Sequence, residues 1–114
     1  MKTPGDGYRL RIFVAEQDKW QGRPLYEAIV RKARELHLAG TTVLRGSMGF
    51  GAKSHLHTAK VLCLSEDLPI IIEIVDRKEQ IDLLMPHIDE MLQGGLVTLE
   101  PVHVIRYQAD KPGA

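Results

Sequence analysis

Residues 8–16 alternate, with Tyr8, Leu10, Ile12 and Val14 on one side and Arg9, Arg11, Phe13 and Ala15 on the other, the period of a β-strand. A polar stretch through Gly22 follows, and Pro24 suits the first turn of a helix, where its missing N–H is harmless. Leu25, Ala28, Ile29, Ala33 and Leu36 then recur at helical spacing, with Arg31, Lys32, Arg34 and Glu35 on other faces and Gly40 as a left-handed stop. Residues 41–48 hold β-branched and apolar residues before a glycine series, which predicts a second strand entering a loop marked by Gly46, Gly49 and Gly51. Residues 58–64 are compatible with a resumed strand, Ser65-Glu66-Asp67 with a turn, and the run from Pro69 through Ile70, Ile71, Ile72 and Ile74 to Val75 with a buried strand. Asp76 with Glu79 resembles a capping box, and Ile81, Leu84, Met85, Ile88, Met91 and Leu92 form an apolar helical stripe. Pro86 inside that stripe predicts a kink or a break. Gly94 and Gly95 end the helix, and residues 96–107 alternate as a last strand in which Pro101 marks a bulge or an edge.

The order β-α-β-β-α-β predicts an α+β, ferredoxin-like split βαβ sandwich: a four-stranded antiparallel sheet with two helices on one face. Residues 8–108 are expected to form this single domain, between flexible termini at 1–7 and 109–114. Phe13, Ala15, alternate members of the isoleucine-rich strand and Ile105 place apolar side chains on the uncovered face as well. A monomer would expose that patch, so self-association of identical chains is expected.

Composition narrows the function. Fifteen Lys and Arg balance fifteen Asp and Glu, so no overall field draws the 114-residue chain onto nucleic acid or anionic lipid. Cys63 is the sole cysteine and can form no internal disulfide, which suits a reducing cytoplasm. The first residues lack the apolar core of a secretory signal, and no apolar run is long enough to cross a bilayer, so no export and no direct membrane insertion are expected.

Two glycine-rich segments are candidate anion sites. In Arg45-Gly46-Ser47-Met48-Gly49-Phe50-Gly51-Ala52-Lys53, closely spaced glycines let backbone N–H groups approach a phosphate and Lys53 adds charge, although Gly-rich stretches are commonest as turns. Gly94-Gly95 offers a second tight turn that a plain helix stop also explains. His55 and His57 form a histidine pair, yet no carboxylate or thiolate accompanies them at a matching spacing, so no dedicated metal site is assigned. Cys63, flanked by Leu62 and Leu64, reads as a half-buried structural thiol, and no carboxylate pair is marked out for acid–base work. No catalytic constellation emerges, and the protein is not expected to be an enzyme. Trp20 lies in a polar stretch, where it serves equally well as an anchor on its own domain or as a contact to a partner.

The ordered set Gly49-Phe50-Gly51-Ala52, His57-Thr58, Ser65-Glu66-Asp67-Leu68-Pro69 and Gly94-Gly95-Leu96-Val97-Thr98-Leu99-Glu100 resembles the domain of unknown function 190 family, a PII-like group. The resemblance covers residues 9–107. It implies a homotrimer that binds an adenine nucleotide in the cleft between subunits and signals through a T-loop. By position, the nucleotide-binding residues it implies are Gly46, Ser47, Gly49, Phe50 and Gly51 at the T-loop base, Gly94, Gly95, Leu96, Val97 and Thr98 after the second helix, and Arg106 near the end of the chain. Ile70 and Leu96 stand where PII proteins usually carry phosphate-neutralising lysines, which favours AMP, ADP or cyclic AMP over ATP with magnesium as the effector. The loop is shorter than a PII T-loop and lacks its modifiable tyrosine. The resemblance also implies a protein partner, with a membrane transporter or a fluoride channel as the expected kind. The alternative within the same fold is a divalent-metal tolerance protein using His55 and His57.

Overall fold

The computed structural model describes residues 5–49, 57–58 and 68–107. In chain order the elements are β1 (Gly5–Ala15), β2 (Lys19–Trp20), β3 (Arg23–Pro24), α1 (Leu25–Glu35), β4 (Thr42–Arg45), β5 (Met48–Gly49), β6 (His57–Thr58), β7 (Pro69–Asp76), α2 (Lys78–Met91) and β8 (Leu96–Val104). Four of the strands build the expected antiparallel sheet in the order β4-β7-β1-β8, with α1 and α2 packed together over it.

Alternation in β1 and β7 decides where the core sits. Their register opposes Leu10 to Ile74, Ile12 to Ile72 and Val14 to Ile70, and all six side chains are buried. Leu25, Ala28, Ile29 and Ala33 of α1 and Ile81, Leu84, Ile88 and Met91 of α2 close over them. β7 is therefore buried on one face rather than on both: Ile71, Glu73 and Val75 point the other way and stay partly exposed.

The open face has two zones. Leu44, Ile71, Phe13 and Leu96 oppose one another in a row across all four strands, and the two outer members, Leu44 and Leu96, are 46% and 55% exposed. The neighbouring rows are charged. Arg11 Nε donates to Glu73 at 2.9 Å, and Arg9 pairs with Glu100.

Several boundaries differ from the pattern-based expectation. β1 starts at Gly5 because Gly5, Asp6 and Gly7 pair with Val104, His103 and Val102, and β8 ends at Val104. β4 ends at Arg45, and Met48–Gly49 instead form a ribbon with His57–Thr58. α1 stops at Glu35, five residues before Gly40: His37 takes the left-handed turn at φ +61°, and Leu36 and Leu38 fold back onto the core. α2 runs unbroken through Pro86, an exposed position. Pro101 lies in register opposite Tyr8 on an edge strand, where its missing donor costs no ladder bond to a further strand. Trp20 belongs to a two-residue hairpin. Most of residues 58–64, including Cys63, lie outside the described residues.

Asp76 is not the N-cap of a capping box. Arg77 holds that position without a side-chain cap, and Asp76 is instead the one buried charged residue among those described. Its Oδ2 accepts from the Ala39 N–H at 2.8 Å and its Oδ1 from the Arg77 N–H at 2.7 Å, while Tyr107 Oη donates to the Ala39 carbonyl at 3.0 Å. One carboxylate thus ties the α1–β4 connection to the start of α2. Asp76→Ala removes the acceptor of two N–H groups and should lower stability by roughly 2 kcal/mol. The expected result is a lower urea midpoint at unchanged slope; an unchanged midpoint would refute this role.

Candidate functional site

The antiparallel register carries both glycine segments to the same end of the sheet. Pro69 opens β7 opposite Ala15, the last residue of β1, and Leu96 opens β8 opposite Phe13. At β4 the chain leaves the sheet beside Pro69: the Gly46 N–H donates to the Pro69 carbonyl at 2.8 Å. A Cβ on Gly46 would lie 2.7 Å from Pro69 Cγ, and one on Gly49 would lie 3.0 Å from the same atom. Both glycines are therefore small because the proline ring occupies the space a side chain would need. Ser47, between them, is exposed.

The second segment divides in the same way. Gly95 has φ +99°, and a Cβ there would stand 2.7 Å from the Phe13 carbonyl oxygen, so the β1 backbone alone demands a glycine. Gly94 has an ordinary φ and nothing within 4 Å of where a Cβ would sit. Gly94 is thus the member of the pair whose smallness the fold does not require. Beyond it the side chains alternate: Leu96 and Thr98 share the open face with Phe13 and Arg11, whereas Val97 packs against the core opposite Ile12. The side chains of Leu96 and Thr98 therefore share one face and that of Val97 the other.

Arg106 lies elsewhere. β8 runs away from the glycine end, Val104 pairs with Gly5, and Tyr107 is tied to Ala39 at the opposite end of the sheet. Nine strand residues span roughly 30 Å, so an Arg106 reaches a glycine end only from a second copy of the chain. Phe50, Gly51, Lys53 and His55 are outside the described residues. Among those described, no group of three or more His, Cys, Asp and Glu is arranged to hold a metal ion.

Arg45 heads the first glycine segment, yet its pairing with Glu16 was not anticipated from the sequence. Arg45, the last residue of β4, forms an ion pair with Glu16, whose N–H donates to the Leu68 carbonyl at 2.9 Å. This pair sets a guanidinium beside the glycine loop, and the signal for it was Arg45 standing directly before Gly46. Ile70, in contrast, is buried at 1% exposure and faces the core, so its departure from a lysine does not remove a cation from an open cleft. Leu96 is exposed at its equivalent place. The described end therefore combines two close-set glycine turns with an arginine already paired to Glu16, and shows no nucleophile or base among the described residues.

Comparison with known proteins agrees with this architecture. Residues 7–104 match the family model DUF190, described as an uncharacterized ACR. A UPF0166 protein of Aquifex aeolicus is 36% identical over 96 residues, covering 84% of this chain and 90% of that protein; one of Methanocaldococcus jannaschii is 32% identical, covering 85% and 90%. Among solved structures, the PII-like protein CPII from Thiomonas intermedia, bound to ADP, AMP and bicarbonate, superposes with a TM-score of 0.69 at 16% identity, covering 93% of this chain and 94% of that one. The Bacillus subtilis GlnK–ATP complex gives 0.55 at 15% identity, covering 90% and 84%. At those identities the structural likeness establishes a shared PII-like, ferredoxin-like fold. The chain belongs to the DUF190 family.

Proposed function

We propose that this chain is a PII-like regulatory protein that binds an adenine nucleotide in clefts between the subunits of a cytoplasmic homotrimer and acts on a protein partner through its T-loop segment. One observation carries the reading. Two glycine segments far apart in the chain come to the same end of the sheet, one at each edge, while Arg106 lies at the other end, so a cleft using all three needs two copies. Solved proteins of the same fold support the ligand class, since CPII is bound to ADP and AMP and GlnK to ATP. The apolar row Leu44–Ile71–Phe13–Leu96 supports assembly, because its burial between copies would remove it from water.

The same geometry favours AMP, ADP or cyclic AMP over ATP. Arg45 is already paired with Glu16, and Leu96 supplies no charge. A mono- or diphosphate asks for fewer cations than a triphosphate. Family resemblance points to a transporter or fluoride channel as the partner. No helix among the described residues is long and apolar enough to cross a membrane, so such a partner would supply the membrane part.

Three outcomes are expected. AMP or ADP should raise the melting temperature more than ATP with magnesium, since selective binding to the folded state stabilises it; no shift with any nucleotide would sink the ligand assignment, and a shift with divalent metals alone would favour the tolerance-protein alternative. Light scattering should give the mass of three chains, and Phe13→Asp should reduce it to that of one by placing a charge in the apolar row. Gly94→Leu should weaken nucleotide binding about tenfold or more while leaving the melting temperature of the free protein unchanged, whereas Gly95→Leu should lower both because it collides with the Phe13 carbonyl. Full binding by Gly94→Leu would remove the segment after α2 from the site.

A further inference from the structure

The helical face carries a second feature that the nucleotide reading does not use. A groove of about 830 Å³ runs along the outer side of α1 between the β2–β3 hairpin and the end of α2. Ala28, Val30 and Met91, with the half-buried Trp20, give it apolar lining. Arg23, Arg31, Lys32 and Arg34 surround that lining, with Glu35 as the one acid among the lining residues. Four cations against one anion stand out on a chain whose charges cancel overall, fifteen against fifteen.

The cations are not all satisfied within the protein. Arg31 pairs with Glu27 at 3.0 Å and Lys32 with Glu35 at 2.8 Å, both between exposed groups on α1. The hydrogen bond from Lys32, together with its charge, holds the Glu35 carboxyl below its usual range, so that acid stays ionised and occupied. Arg23 and Arg34 are exposed and form no ion pair among the described residues. The hairpin that presents Arg23 is a tight one: Gln21 and Gly22 both take positive φ, +49° and +82°, and set Trp20 and Arg23 opposite each other. A non-glycine residue held in the left-handed region is an uncommon device, and here it fixes an aromatic ring and an arginine side by side over α1.

We infer that this groove docks an acidic, amphipathic segment of a partner protein, its apolar side chains against Trp20 and Val30 and its carboxylates against Arg23 and Arg34. Charge complementarity selects an acidic occupant. An apolar lining beside it selects a peptide over a nucleic acid, whose phosphates would gain nothing from Val30. The size fits too, because an 11-residue helix is roughly 16 Å long and matches about three turns of a docked helix. The groove lies on the side of the sheet opposite the Leu44–Phe13–Leu96 row, so it remains outward when copies associate through that row. It uses none of the residues assigned to the nucleotide site, although Met91 lies three residues before Gly94.

Trp20 is the only tryptophan and reports on its own groove. The test titrates the full chain with a peptide of about twelve residues, leucines at helical spacing and glutamates elsewhere, and follows Trp20 emission. A peptide with lysine for glutamate and a single-stranded DNA oligonucleotide serve as parallel probes. The expected result is a saturable emission change with the glutamate peptide alone, weakened by added salt and by about tenfold or more in the Arg23→Glu, Arg34→Glu double variant, whose melting temperature and nucleotide-induced shift stay as in the parent. No saturable change with the glutamate peptide, equal binding by the double variant, or binding of the oligonucleotide in its place would overturn the inference.

Discussion

The pairing of β1 with β7 is the constraint on which the rest of the structure depends. Leu10–Ile74, Ile12–Ile72 and Val14–Ile70 form a ladder of branched side chains that the two helices cover. A shift of one residue in that register would turn the ladder to solvent and bring Arg9, Arg11 and Glu73 under the helices, at the cost of burying charges without water. The register is therefore held tightly, and it sets Pro69 opposite Ala15 and Leu96 opposite Phe13. The glycine end of the sheet is a consequence of the core.

At that end, glycines divide by what excludes their side chains. Gly46 and Gly49 yield to the Pro69 ring and Gly95 to the Phe13 carbonyl, so all three are needed by the fold before any ligand is considered. Gly94 is the exception, open on all sides. A site made of backbone donors works best on such a frame, since the atoms that hold the donors in place are not the atoms that meet the ligand. Arg45 at that end is shared with Glu16.

The two faces of the sheet serve different needs. The open face combines an apolar row with the Arg9–Glu100 and Arg11–Glu73 pairs, which tie β1 to its two neighbours. The helical face is already satisfied inward and presents arginines outward. Asp76, at the end away from the glycines, joins the connection after α1 to the start of α2.

Periodicity alone determined the α+β class, the βαββαβ order and nearly every core side chain, because burial of alternate positions in a strand, or of every third and fourth in a helix, leaves its mark directly in the order of residues. Boundaries were less legible. His37 took the left-handed turn that Gly40 was expected to take, and Asp76 received backbone donors from Ala39, 37 residues away, where a local capping box was expected. Both depend on contacts between segments distant in sequence, which no local pattern encodes. The glycine segments were visible as candidates, yet only the tertiary structure decided which glycine is held by a proline, which by a carbonyl and which by nothing. It also decided that Val97 faces inward, that Ile70 is core, and that Arg106 lies a strand's length from the rest. Sequence determines which groups are available; the register of antiparallel strands determines which of them meet, because it alone fixes distances between residues far apart in the chain.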